Sequence, residues 1–452
     1  MGWEPWTPDQ EQPWNLKRVV HLHRRAGFGA SWQQLQQDLQ EGPDAAVERM
    51  TQSVVRGATD SPDDLMGHVG DAAVGSNRPE RLKAWWLLRM LTSTDPLREK
   101  LTLMWHNHFA TSNAKVANLA AMRTQNAIFF SQGAGRFADL LQAVVTDPAM
   151  LVWLDAPSNR KGRPNENLAR EIMELFTLGI GNYSERDVRE AARALTGWSV
   201  NDAGRFEFLA KSHDHGNKTI LGQTGPWNGH DLLRILMEQD ATVERIAWRL
   251  CRVFMSVKQV PSALVSRLAE HLRSTGMHIG SALQTILRSQ AFFADENIGS
   301  RVSDPAEFVV STLKALESRS PWPSSTRMAF WTTELGQDLF FPPNVGGWSG
   351  GRNWLSSRHV VGRANFVAAL INGELSRSRA APDLAGMVRR NCGDTALGAS
   401  IAHLNELLLG GRLTEASCSR VALALQGHHD EPEDQIRLAL ALNLALPEAQ
   451  QV

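Results

Sequence analysis

Cysteine is scarce in this chain. Among 452 residues there are three, Cys251, Cys392 and Cys418, with no Cys-x-x-Cys pair. A disulfide framework and a cysteine zinc knuckle are thereby excluded, and three buried free thiols are expected. Long apolar runs are missing: no stretch approaches the ~18 uncharged apolar residues of a membrane span. The first residues, Met1-Gly2-Trp3-Glu4-Pro5-Trp6-Thr7-Pro8, have no basic start and no apolar run, so the pattern of a secretory signal is lacking. A cytoplasmic location is the expectation from that segment. Charge of one sign is missing too. Lys+Arg (47) and Asp+Glu (48) leave a net charge of −1, which gives no global field for nucleic acid or an anionic membrane. No Walker loop, Gly-x-Gly-x-x-Gly or His-Glu-x-x-His string occurs, and no Glu-x-x-His pair of the di-iron bundles. Tyrosine is reduced to Tyr183, against 15 Trp.

What is present is helical punctuation. Leu16, Val20 and His23 share a helical face, and Gly27 and Gly29 end that segment. Arg24-Arg25 near its end answer the helix dipole. Ser31 caps a helix that stops at Gly42-Pro43. A helical hairpin spans about Glu80 to Ala110, broken at Ser93-Thr94-Asp95-Pro96. Further helices are predicted at 117–131, 136–146, 166–178, 185–196, 229–238, 241–255, 261–275, 279–291, 305–317, 326–336, 359–373, 397–409, 414–426 and 432–445. Arg205-Phe206-Glu207-Phe208 and Lys218-Thr219-Ile220-Leu221 alternate, and read as one small β-hairpin with a long tip. The expected fold is mainly α: a multi-helix globular body with one small hairpin near residues 205–222. A main body over 1–375 and a C-terminal helical segment over 376–452 are the expected division, with a polar, Ala-rich boundary near 374–396.

Histidine placement is the sharpest chemical feature. His-x-His occurs three times, at His21/His23, His106/His108 and His213/His215, against about 0.4 expected from composition. Residues two apart on a helix point about 200° apart, so the first two pairs cannot each chelate one ion. On a strand they share a face, so His213/His215 could. His108 follows Leu97, Leu101 and Met104 on an apolar face. Its readings are a core histidine with one hydrogen bond, or an acid/base or metal role. The helix opened by Pro164-Asn165-Glu166 buries Leu168, Ile172 and Leu175, and sets Asn167, Arg170, Glu171, Glu174 and Thr177 on the other side. Glu171 and Glu174, three apart, project from one face and could share a proton or hold a divalent ion. A solvated, salt-bridged face is the alternative. His213-Asp214 with Gly216 and Lys218 suits a loop that binds a metal or an anion, or a solvated tip. Two Gly/Pro-rich loops, 155–164 and 341–351, carry large and charged residues and read as functional loops.

Several strings together carry a resemblance. They include His21-Leu22-His23-Arg24-Arg25-Ala26-Gly27-Phe28-Gly29, Trp105-His106-Asn107-His108-Phe109, Pro164-Asn165-Glu166-Asn167, and Ala169-Arg170-Glu171 leading to Met173-Glu174-Leu175-Phe176-Thr177-Leu178-Gly179. Ala192-Arg193-Ala194-Leu195-Thr196-Gly197-Trp198, His213-Asp214 and Pro342-Pro343-Asn344-Val345-Gly346-Gly347-Trp348 continue it. The chain resembles the bacterial "domain of unknown function 1800" family over nearly its whole length. The resemblance implies a protein whose relatives are often exported, so a periplasmic location stands beside the cytoplasmic one. It also implies a sulfatase-like neighbouring protein as a partner.

These readings converge on a polar cleft. The first expectation is metal-assisted hydrolysis. His108, His213 and Asp214 hold one divalent metal ion, Glu171, Glu174 and His108 do the catalysis, and Arg170, Lys218, Asn167 and Trp348 bind an anionic substrate. The second is a helical scaffold or accessory subunit in which the same residues form a buried hydrogen-bond network. The third is a carbohydrate-binding protein that stacks sugars on the loop residues Trp227, Trp348 and Trp354, with Trp85, Trp86, Trp105 and Trp248 in the core.

Overall fold

Helix starts follow the capping rules written in the sequence. Asp95-Pro96 and Asp147-Pro148 each place a side-chain acceptor at the cap and proline at the first helical position. Ser31, Ser184 and Asn228 form reciprocal capping boxes with Gln34, Asp187 and Asp231. The computed structural model describes residues 2–56, 64–255, 260–317, 323–425 and 431–452; Met1 and the expected helix end at 426 lie outside them. Helices dominate, and the expected ones are present to within a few residues. Among the described residues five more α-helices were not anticipated: Pro43–Arg56, Asp64–Gly75, Asn113–Val116, Pro148–Trp153 and Leu384–Cys392. Pro43, read as a stop, is the first residue of the next helix, where its missing N–H costs nothing. The 279–291 segment is two helices, Ile279–Leu287 and Gln290–Phe293, because Ser289 restarts the chain by capping Phe292.

The β structure is paired differently from the expectation. Trp198–Val200 pairs antiparallel with Phe206–Phe208, and Lys218–Ile220 with Gln223–Gly225. Two tight hairpins replace one with a long tip. Leu221 and Gly222 both take positive φ, which supplies the tight turn of the second. Each strand thus meets its nearest neighbour in sequence, where loop closure costs least.

Two hydrophobic clusters form the core. One gathers Trp105, Phe109, Phe137, Leu168, Phe176 and Leu250; the other gathers Phe28, Trp86, Phe308, Phe340, Leu404 and Leu440. The Pro96–His108 helix contributes to both and is buried on nearly every side. Its polar residues therefore need partners inside the protein. Lys100 donates to Gly27 O (3.1 Å) and pairs with Glu307, which Arg301 also holds at 2.5 Å. Glu99 accepts from Trp86 Nε1 (3.1 Å) and Arg89.

Arg24 and Arg25 have a different task from the one expected. Both are buried. Arg24 donates to Leu408 O (3.1 Å), and Arg25 to Met255 O, Asn297 O (3.1 Å) and Val452 O (2.5 Å). They fasten loops and the C-terminal segment to the first helix instead of answering its dipole. The thiols also depart from expectation: Cys251 is buried, Cys418 half-buried and Cys392 exposed. Among the described residues no helix is long and apolar enough to cross a membrane.

One buried carboxyl sets a pH dependence. Asp147 is 2% exposed. Its Oδ2 accepts from Met150 N (3.2 Å) and Gln125 Nε2 (2.9 Å), while Oδ1 has no partner. Burial raises its pKa from 3.8 to about 7. The folded state thus keeps a proton that the unfolded chain releases near 3.8, and the stability this confers is lost as pH rises through about 7. Thermal melts at constant ionic strength between pH 5 and 8 are expected to show Tm falling in the wild type. Asp147→Asn, which keeps the cap acceptor without the titration, is expected to flatten that fall. An identical slope in both proteins would remove Asp147 from the account.

Candidate functional site

The carboxylate helix is an α-turn followed by a wider one. Asn167–Glu171 is α-helical and Ile172–Thr177 is a π-helix. The extra residue per turn rotates everything after Ile172. Phe176 and Thr177 turn inward, and Leu175, expected in the buried stripe, is only half-buried. Thr177 Oγ1 donates to Ile172 O at 2.7 Å, and Gly179 closes the helix at φ 84°. π segments recur at functional sites because they re-aim side chains and free carbonyls.

Two side chains take those carbonyls. His108 Nε2 donates to Phe176 O (3.2 Å) and Arg245 Nε to Leu175 O (3.0 Å). Arg249 Nε donates to His108 Nδ1 at 3.1 Å, so both ring nitrogens are engaged and the imidazole is neutral. Burial, then the nearby Arg249 and Arg245, push its pKa well below the usual histidine range. His108 caps the end of the carboxylate helix. Its neighbours do unrelated work. His106 Nε2 accepts from Phe340 N (3.1 Å), and burial pulls its pKa down to about 3. Asn107 pairs both ways with Trp348, accepting from its N at 2.7 Å and donating to its O at 3.3 Å. The divergence of His106 and His108 is as their spacing required.

Glu171 and Glu174 share the half-exposed face. Tyr183 OH donates to Glu174 Oε2, which places the single tyrosine beside the carboxyl pair. Among the described residues Glu171 has no hydrogen-bond or ion-pair partner. Burial and, second, the charge of Glu174 raise its pKa above the usual carboxylate range. Arg170 is held by both oxygens of Glu185 (2.8 Å each) and by Glu166 (3.1 Å). Asn167 Nδ2 donates to Asp155 Oδ2 at 3.2 Å.

His213, Asp214 and Lys218 form a second group, gathered at the C-terminal end of the Glu185–Ala194 helix. His213 Nδ1 lies 2.8 Å from Thr196 O, and Asp214 N donates to Thr196 Oγ1 at 2.8 Å. Arg193 Nε (2.8 Å) and Gly216 N (2.9 Å) hold the Asp214 carboxylate. That arginine bond, foremost, lowers its pKa to about 2. Lys218 is 1% exposed and donates to Gly216 O (3.0 Å) and Asp214 O. His213 and His215 do approach, with ring centroids 4.9 Å apart. Even so, no group of three or more His, Cys, Asp or Glu that could hold a metal ion occurs among the described residues. The three-ligand set His108, His213 and Asp214 is therefore not assembled: His108 is committed to Phe176 O and Arg249, and His213 and Asp214 to Thr196 and Arg193.

Residues 21–451 match the family described as "Protein of unknown function (DUF1800)". The chain belongs to that family. No curated protein and no solved structure matches. The family match spans the carboxylate helix, the histidine helix and the 341–351 loop alike.

The tryptophans are sorted differently from expectation. Trp348 and Trp354, proposed as sugar platforms, are 7% and 5% exposed. Trp354 Nε1 donates to Asp304 Oδ1 (3.1 Å), and Trp348 packs on His106. Trp248, expected in the core, is 39% exposed. The sequence reading also missed Arg245, Arg249 and Arg252. Their spacing of four and three on the Asp240–Phe254 helix was a signal for one face. It missed a second string as well. Gly347-Trp348-Ser349-Gly350-Gly351 has the spacing of a hydrolase nucleophile elbow, but the short 3-10 helix Gly351–Leu355 follows it and no strand is described before it.

Gly347 is the joint between this loop and the histidine helix. Its φ is 75°, and a Cβ there would stand 2.2 Å from Asn107 Oδ1 and 2.5 Å from Asn107 O. Gly347→Ala is expected to lower stability by at least about 1 kcal/mol and to shift the tryptophan emission as Trp348 leaves His106. An unchanged melt and spectrum would show that the Asn107 clamp is not needed.

Proposed function

We propose that the chain is a hydrolase-type enzyme working by acid–base catalysis on the face formed by Glu171, Glu174 and Tyr183. The observation that supports this reading is the carboxyl pair itself. Glu171 is half-buried, without a partner, and holds its proton to higher pH. Glu174 is engaged by Tyr183 and carries the negative charge that helps to keep that proton in place. Two carboxyls whose surroundings differ in this way can serve as acid and charged partner in one reaction. In this reading Glu171 protonates a leaving group, and Glu174 with Tyr183 orients the acceptor side. His108 and Arg245 are positioning residues, because they fix the carbonyl end of the helix that carries both carboxyls. The chemistry rests on the carboxyls and not on a His108–His213–Asp214 metal site.

A second reading is favoured by a separate observation. His108, His213 and Lys218 donate to or lie against backbone carbonyls, the Asp214 carboxylate accepts from Gly216 N, and the Asn107 side chain clasps the Trp348 backbone. That arrangement suits a rigid accessory subunit, and the sulfatase-like neighbour that the family resemblance implies is its expected partner.

Hydrolysis of p-nitrophenyl phosphate, sulfate and acetate, followed from pH 4 to 9, separates the two. The enzyme reading expects turnover of at least one ester, with a rate that declines as Glu171 loses its proton. Glu171→Gln should lower it by about 100-fold or more while Tm stays within a few degrees. Absence of turnover with all three esters, or a Glu171→Gln protein as active as wild type, favours the accessory subunit instead.

A further inference from the structure

Buried cations elsewhere in this protein are answered. Arg25 reaches three carbonyls, Arg301 and Lys100 share Glu307, and Arg363 donates to Ser303 O (2.6 Å) and Gln450 Oε1 (3.1 Å). The half-buried arginines of the Asp240–Phe254 helix differ. Arg245, Arg249 and Arg252 lie along one face of it, and among the described residues none of the three forms an ion pair. Arg249 uses only Nε, on His108 Nδ1; among the described residues neither of its terminal nitrogens has a hydrogen-bond partner. The charges that act on it are those of Arg245 and Arg252, of the same sign. One carboxylate, Glu174, acts on Arg245.

The three side chains are also held in place. Arg245 is fixed by Leu175 O and lies over Gly179, where a Cβ would come within 3.0 Å of its Nη1. Arg252 donates to Ser349 O (3.3 Å) and stands 5.1 Å over the Trp248 ring. The three guanidinium groups are half-buried, and fixed guanidinium forks with open terminal nitrogens match oxyanions in geometry and charge. We propose that Arg245, Arg249 and Arg252 form a binding site for an oxyanion, the sulfate, phosphate or carboxylate group of a ligand. The site stands beside the Glu171–Glu174 pair. Its role in holding a substrate rests on the catalytic reading above, whereas its anion affinity does not.

The test is thermal unfolding of the full chain at constant ionic strength, with sodium chloride replaced stepwise by sulfate, phosphate or acetate. A saturable rise in Tm is expected with at least one of these anions, since a ligand bound only to the folded state stabilises by mass action. Which anion saturates at the lowest concentration identifies the group. Arg249→Gln keeps a donor for His108 and removes the charge. It is expected to abolish the saturable rise while melting in chloride at or above the wild-type temperature. Arg252→Gln, at the more open end, is expected to weaken the apparent affinity about tenfold, and serves if Arg249→Gln does not fold. A rise that is linear in sulfate and the same in both variants is general salting-out and overturns the site, as does no rise with any anion. A saturable rise lost in Arg249→Gln, together with full turnover by Glu171→Gln, keeps the anion site and removes the catalytic reading.

Discussion

A cation removed from water has to be answered, and this protein answers nearly all of its buried cations from within. The first helix shows how. Arg24 and Arg25 reach carbonyls of three distant segments, 255–297, 408 and 449–452. The Pro96–His108 helix can be buried on nearly every side because Lys100, Glu99 and His106 each find a partner on a neighbouring element. Carbonyl acceptors have an advantage over carboxylates here: they satisfy the guanidinium without adding a second buried charge, whose desolvation would offset much of the attraction. The polar interior is therefore a set of fastenings between helix ends and loops. Against that background the unanswered Arg249 is informative, as is the unpartnered carboxyl of Glu171.

The candidate site follows from the same constraint. A helix that widens into a π turn presents carbonyls at its end, and His108 and Arg245 take them. Once His108 is used in that way, with Arg249 on its other nitrogen, it is closed to a metal ion or a proton shuttle. In the function proposed above, the chemistry falls to the groups that the fastening leaves over: Glu171, the Glu174–Tyr183 pair and the terminal nitrogens of Arg249. The cluster around His213 and Asp214 is different. Every charged group there is matched, by Arg193, Thr196 or a loop carbonyl, so it reads as a folded loop that stabilises the hairpins.

Much of this was legible in the residues. Helical periodicity, sharpened by caps such as Ser31 and Asp95-Pro96, located most of the helices, although the cap at Asp147-Pro148 was not read. The opposite aims of His106 and His108 followed from spacing alone. Other features leave no local mark. The π turn after Glu171 depends on packing, and a period of 3.6 continued through it misplaces Leu175 and Thr177. The two hairpins use the strands that pattern suggested but choose partners by loop closure. The spacing of Arg245, Arg249 and Arg252 shows one face, yet only the fold shows which cations have counter-charges. His213-Asp214 looked like a ligand set because the sequence shows donors and hides the Thr196 and Arg193 that already occupy them.

The inference that Arg249 is left open for an oxyanion carries the most weight. A crystal of the full chain soaked in selenate tests it most directly, because selenium gives an anomalous signal that locates the anion without assumption. The account predicts a peak within hydrogen-bonding reach of the terminal nitrogens of Arg249, with Arg245 or Arg252 on its other side. A carboxylate of the chain paired to those nitrogens, or no peak there at saturating selenate, would contradict it.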